Sequence, residues 1–172
     1  MTKQQLIVVT CAYSVALVAA VYFTRATSRR VVGALAGGAA VGWMGLGAIA
    51  LGEALGLWRV PLPSTPGLFA LFYLGFAISC SPIYLITWRV AVRFGRRGLA
   101  VCIIFAGVIG PPRDYLIVAK YPEWMVFAPG VAPVFGDAAI YVCIVALGHA
   151  MMRLVAGPAR GDRLARRPWE AA

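Results

Sequence analysis

Five apolar stretches, each about 20 residues long and separated by clusters of arginine, proline or glycine, constrain this chain more than any other feature. Wound as a helix at 1.5 Å per residue, such a stretch reaches across roughly 30 Å of hydrocarbon. The stretches predict transmembrane helices over residues 6–24, 31–57, 67–88, 98–118 and 133–155. The chain is 62% hydrophobic and only 13% charged, against about 45–50% and about 25% in soluble domains. Too little polar surface is present to cover a water-soluble globule, so the bilayer is the expected solvent. The expected fold class is an all-α integral membrane protein: one compact bundle of about five helices over residues 1–156, with a basic tail over 157–172. The first stretch reads as a retained helix rather than a signal peptide, because only Lys3 precedes it and no small-x-small site stands before Arg25.

Orientation follows from the basic residues. Twelve arginines (Arg25, Arg29, Arg30, Arg89, Arg93, Arg96, Arg97, Arg153, Arg160, Arg163, Arg166 and Arg167) fall on one side of the expected bundle, and Lys3, Arg59, Arg113 and Lys120 on the other. The positive-inside rule then places the N-terminus outside and the C-terminus in the cytoplasm, in a multi-pass cell membrane of the bacterial inner-membrane type. The formal charge of +10 is accounted for by these flanking arginines and anionic headgroups. No basic domain lies outside the membrane, so nucleic acid is not an expected partner.

The second stretch is rich in glycine. Ala34, Gly38, Gly42, Gly45, Gly52 and Gly56 recur at helical spacing along one face, while Gly33, Gly37 and Gly47 occupy another. Small residues let helix backbones approach closely, so this helix is expected at the centre of the bundle, packed on two sides. Pro61, Pro63 and Pro66 mark a loop. Pro82 is expected to kink the third helix, and the adjacent Pro111 and Pro112 to break the fourth.

Cys11, Cys80, Cys102 and Cys143 lie singly in different stretches, without a CxxC pair, and read as buried small apolar residues. One histidine, His149, cannot form a multi-histidine metal or haem site, and a hydrogen bond to a neighbouring helix or headgroup is its expected role. No metal and no cofactor is expected: the chain contains no Walker A loop, dinucleotide fingerprint or HExxH.

The acidic residues are more informative. Asp162 and Glu170 belong to the tail, but Glu53, Asp114, Glu123 and Asp137 all fall toward the expected outer side. A charge within the apolar layer costs about 2.5–3.5 kcal/mol on insertion scales and normally turns inward to a partner. Glu53, Arg113, Asp114 and Asp137 are therefore candidate catalytic residues, in a polar site built from the second, fourth and fifth helices. Arg113 is expected to pair with Glu53 or Asp137 rather than with its neighbour Asp114. Trp43, Trp58, Tyr115 and Tyr141 are candidate substrate-binding aromatics, since ring faces pack lipophilic chains and stabilise positive charge. Trp43 also reads as a packing residue.

Two functional expectations follow. One is an enzyme performing acid/base chemistry on a lipophilic, isoprenoid-like substrate, for which a buried carboxyl supplies the proton. The other is a non-catalytic assembly subunit or transport component, for which the glycine faces and the proline pair argue. The expected partners are membrane lipids, a lipophilic small molecule, and a second copy or another membrane protein.

Overall fold

Thr2 opens the first helix with a reciprocal cap. Its hydroxyl accepts from the Gln5 N–H, and the Gln5 side chain accepts from the Thr2 N–H at 2.8 Å. The computed structural model describes residues 2–158. Its helices are α1 (Lys3–Thr24), α2 (Ser28–Ala54), α3 (Pro66–Lys120) and α4 (Ala132–Ala156). Two short strands, β1 (Trp58–Arg59) and β2 (Val126–Phe127), pair antiparallel. All four helices are long and apolar enough to cross a membrane. Their outward faces are apolar, with Phe23 78% and Leu154 80% exposed, as expected where lipid rather than water surrounds the bundle. The tail from 159 to 172, including Asp162 and Glu170, lies outside the described residues.

Four helices stand where five were expected, because α3 runs for 55 residues through the arginine cluster that separates the third expected helix from the fourth. The arginines of this segment and Ala91 are good helix formers and no proline interrupts it, so helical backbone continues until Gly95, whose φ of 66° and ψ of −152° are not helical. Gly95 joins two arms, 66–94 and 96–120. A straight helix would hold Tyr84 and Gly110 about 39 Å apart. Instead the Tyr84 hydroxyl donates to the Ile144 carbonyl (3.2 Å), and Gly110 packs against the ring of Tyr141. Both partners lie within one turn of α4, so the arms fold back beside each other.

The expected break at Pro111 and Pro112 is absent: both residues are inside α3, and Gly95 is its one non-helical position. Proline in a membrane helix is tolerated where neighbouring helices and local adjustments satisfy the backbone groups it frees, so the pair does not force the chain out of the helix. The 31–57 prediction also overran. Helix α2 ends at Ala54, and Gly56 takes a positive φ of 68° that turns the chain into β1.

The two glycine faces of α2 meet two neighbours. Gly38, Gly42 and Gly45 lie against Ala77, Tyr73 and Phe76 of the first arm, whereas Gly33 and Gly37 lie against Met152, Ala156 and Gly148 of α4. A Cβ at Gly37 would come within 2.6 Å of the Gly148 carbonyl oxygen. Only backbones this close leave such a clash, so the small residues are what let α2 sit centrally. Gly47 faces open space, and Gly52 accommodates the indole of Trp58.

Packing differs between the two ends of the bundle. At the arginine end, Val41, Tyr84, Leu85, Trp88 and Met152 are fully buried. Arg30, expected among headgroups, is also buried, with 1% exposure. Its guanidinium donates to the carbonyls of Gly157 (2.8 Å) and Pro158 (2.7 Å) and lies 5.4 Å from the Trp88 ring centroid. It thereby caps the negative end of α4. His149 Nδ1 shares a 2.9 Å hydrogen bond with the Thr87 hydroxyl, as expected of a helix-to-helix contact. The opposite end carries the β1–β2 ladder and a 2.9 Å bond from the Gln5 amide to Glu123. None of the four cysteines is buried: Cys11 and Cys143 are exposed, and Cys80 and Cys102 are intermediate.

Candidate functional site

Beneath the ladder the helices part to leave a cavity of about 510 Å³, within the range of small-molecule sites. Every helix contributes to its wall: Leu6, Thr10 and Tyr13 from α1, Gly45 and Ile49 from α2, Phe72, Phe76, Ser79 and Cys80 from the first arm of α3, Arg113, Asp114 and Ile117 from the second arm, and Asp137, Ile140 and Tyr141 from α4. Ile83, Ile144 and Val145 line it beside the packed core, while Trp58, Trp124 and Met125 belong to the ladder end. Most of these side chains are apolar. The polar ones cluster where the second arm, α4 and α1 converge.

Tyr141 is the hub of that cluster. Gly110 leaves room for its ring against the second arm, which brings the phenol to the next turn of the same arm. Its hydroxyl donates to Asp114, 2.9 Å from each carboxylate oxygen, and accepts from Arg113 Nη1 at 3.1 Å. Arg113 Nη2 donates to the Tyr13 hydroxyl (3.2 Å), and Nε stands 3.6 Å from Asp114 Oδ1. Arg113 therefore engages its sequence neighbour, not Glu53 or Asp137 as the sequence suggested. Adjacent side chains on a helix diverge by about 100°, and Tyr141 fills the angle between these two from the facing helix.

Asp137 sits one turn before Tyr141 on the same face of α4. It is 6% exposed, and its Oδ2 has no hydrogen-bond partner among the described residues. Trp58 packs against Gly136 beside it and is itself 7% exposed, with an indole N–H that likewise has no partner. A buried polar atom without a partner forfeits hydration and costs about 1–3 kcal/mol. Two such atoms on neighbouring residues of one cavity are a concentrated instance of that cost.

The sequence-derived candidates separate accordingly. Asp137, Asp114, Arg113, Tyr141 and Trp58 all line the cavity. Glu53 does not: it is exposed at the end of α2, where its carboxylate accepts from the Val60 N–H at 2.8 Å and secures the chain leading out of β1. Trp43 is 67% exposed on the outer face of α2 and lies against Tyr73 with ring centroids 5.4 Å apart and planes tilted by 49°, which is a packing contact. Tyr115 does not line the cavity: its ring lies parallel to that of Phe127 with centroids 4.2 Å apart, and its buried hydroxyl has no hydrogen-bond partner among the described residues. The site thus draws on α1 and the first arm as well as on the three helices expected. Tyr13, Thr10, Ser79 and Cys80 were missed. Their signal is the run of small polar residues Ser79-Cys80-Ser81 and the Thr10/Tyr13/Ser14 spacing, both interrupting otherwise apolar helices.

Comparison of the chain with protein-family models, with curated proteins and with solved structures finds no match. Among the described residues no group of histidine, cysteine and carboxylate side chains is arranged to hold a metal ion.

Proposed function

We propose that this chain binds a lipophilic, isoprenoid-like molecule in the cavity under the ladder, and that Asp137 exchanges a proton with the polar group of that molecule. The observation that carries the reading is the Asp137 Oδ2, buried and unpartnered on the wall of a largely apolar cavity. A structural carboxylate at that depth would be paired; Asp114 is paired, with Tyr141 and Arg113. The two carboxylates thus have different roles. Asp114 holds Arg113 and Tyr141 in place, and Asp137 faces the substrate. Proton exchange at Asp137 needs no oxidant or reductant: the carboxylate takes a proton from the substrate and the carboxyl returns it.

The test is the lipid and small-molecule content of the purified protein, extracted and weighed by mass spectrometry for wild type, Asp137→Asn and Asp137→Leu. A specific molecule present in wild type and depleted in both variants is the expected result. Equal content in all three, or none in any, sinks the reading.

The same proposal extends to topology. The two arms of α3 each cross the bilayer, giving five crossings in a bacterial-type inner membrane. The fold-back at Gly95 supports this, as does the gathering of eight arginines, from Arg25 to Arg153, at the end where Arg30 caps α4. That end is cytoplasmic and the ladder end is outside.

A second reading is an assembly subunit, and the closely packed glycine faces of α2 favour it. In that case Asp137 would find its partner on another protein or a second copy, and both variants would lose that partner rather than a small molecule.

A further inference from the structure

Glycines mark where the helices of this bundle approach each other closely, and the seam between α1 and the second arm of α3 has none among the described residues. Helix α1 packs against α3 and makes no comparable contact with α2 or α4. Its side toward the first arm is closely fitted: a Cβ at Gly75 would come within 2.6 Å of the Thr10 hydroxyl oxygen. The second arm keeps its glycine notches for α4, with Gly107 against Val142 and Gly110 against Tyr141. Toward α1 its clasps are long side chains instead. Arg113 Nη2 donates to the Tyr13 hydroxyl (3.2 Å), and the Gln5 amide donates to Glu123, just past the end of the arm (2.9 Å).

The cavity meets the outside of the bundle at this same seam. A groove of about 400 Å³ runs along the outward face of the second arm, past Ile109 and the 73% exposed Leu116. Arg113, Ile117 and Tyr121 line the groove and the cavity alike, so the two spaces adjoin at these side chains, which follow one another along one edge of the helix. At the ladder end the way is closed by backbone: β1 pairs with β2, the Ala128 N–H donates to the Leu57 carbonyl (2.9 Å), and the Trp58 indole fills the notch at Gly52. A lipophile approaching there must also leave hydrocarbon for water, against the hydrophobic effect. We infer that the groove is where the lipophile docks from the bilayer, and that it passes into the cavity between α1 and the second arm as the Tyr13–Arg113 and Gln5–Glu123 bonds open. This inference rests on the binding reading above.

Two cross-links separate this route from one through the ladder. Both are placed in the full chain with its four native cysteines replaced by alanine, at positions that do not line the cavity. Gln5→Cys with Glu123→Cys spans the seam, and Arg59→Cys with Val126→Cys spans a paired position of the ladder. Each pair is bridged by a bis-methanethiosulfonate, which a reductant cleaves, so every protein is its own unlocked control. The protein in detergent micelles is loaded with deuterated geranylgeraniol and chased with the unlabelled alcohol, and the bound isotope is followed by native mass spectrometry. The seam bridge is expected to slow exchange severalfold and the ladder bridge to leave it unchanged, with reduction restoring the rate. Glu123→Ala, which removes one exposed clasp, is expected to speed exchange about threefold at unchanged affinity, the effect of a hydrogen bond at the weak end of the usual range. Slowing by the ladder bridge as great as that by the seam bridge, or slowing by neither, overturns the entrance and leaves the binding reading standing. A probe that fails to bind the reduced protein overturns the binding reading, and the entrance with it.

Discussion

Asp137 and Asp114 show how differently two carboxylates can be treated within one site. Asp114 accepts from a phenol and lies beside a guanidinium, whereas Asp137 Oδ2 is buried with no hydrogen-bond partner among the described residues. A group retained at a cost in stability is expected to reveal that cost when removed. Asp137→Leu is therefore expected to stabilise the ligand-free protein by about 1–3 kcal/mol, the penalty of an unsatisfied buried group, read as a raised thermal midpoint in detergent. Tyr141→Phe is expected to do the opposite by a similar amount, because it strips Asp114 of its donor. A leucine variant that is markedly less stable would place Asp137 among the packing residues. At this scale the sequence was legible in depth but not in direction. It put Glu53, Asp114 and Asp137 at one end of the bundle. It could not show that Glu53 turns outward to Val60 while Asp137 turns inward, because that depends on how each helix is rotated. Tyr13 and Cys80 join the site only because α1 and the first arm lie beside α4 and the second arm, which is adjacency that no spacing along the chain encodes.

Helix α2 is the element whose behaviour was most legible. Its glycines read as two packed faces, and each face has a distinct neighbour: the first arm of α3 on one side and α4 on the other. The same pattern makes a paired prediction. Gly38→Ala drives a methyl into the Ala77 carbonyl and the Ser81 hydroxyl, so the helices must separate. A loss of about 1–3 kcal/mol in unfolding free energy is expected. Gly47→Ala meets nothing within 4 Å and is expected to be neutral or to gain up to about 1 kcal/mol from helix propensity. Equal effects at the two positions would mean that the close approach of α2 and α3 is not what holds the bundle together. The turn between the two arms was legible only as an arginine cluster between two expected helices. Its arginines keep the helix going past the expected boundary, and the reversal is concentrated in Gly95, whose positive φ would strain any other residue. The β1–β2 ladder was not foreseen, because two residues per strand leave no alternation to read.

Across the whole molecule, one end is solid and the other hollow. Tyr84, Leu85, Trp88 and Met152 fill the arginine end, while the ladder end leaves a partly open cavity. In the proposed binding reading, the packed half fixes the helices and the half beneath the ladder is where the ligand would sit. The proposed orientation predicts that a green fluorescent protein fused to the C-terminus fluoresces in the bacterial cytoplasm, and that alkaline phosphatase fused after Thr65 is active outside it; the reverse pattern would invert the topology. The central claim, that Asp137 waits for a ligand and not for a structural partner, is tested most directly by an experimental structure of the protein in native-lipid nanodiscs. The account predicts elongated density in the cavity, bounded by Phe76, Cys80 and Tyr141, with its polar end within about 3 Å of Asp137 Oδ2, a hydrogen-bond distance. A collapsed cavity in which Asp137 is bonded to a protein side chain would contradict it.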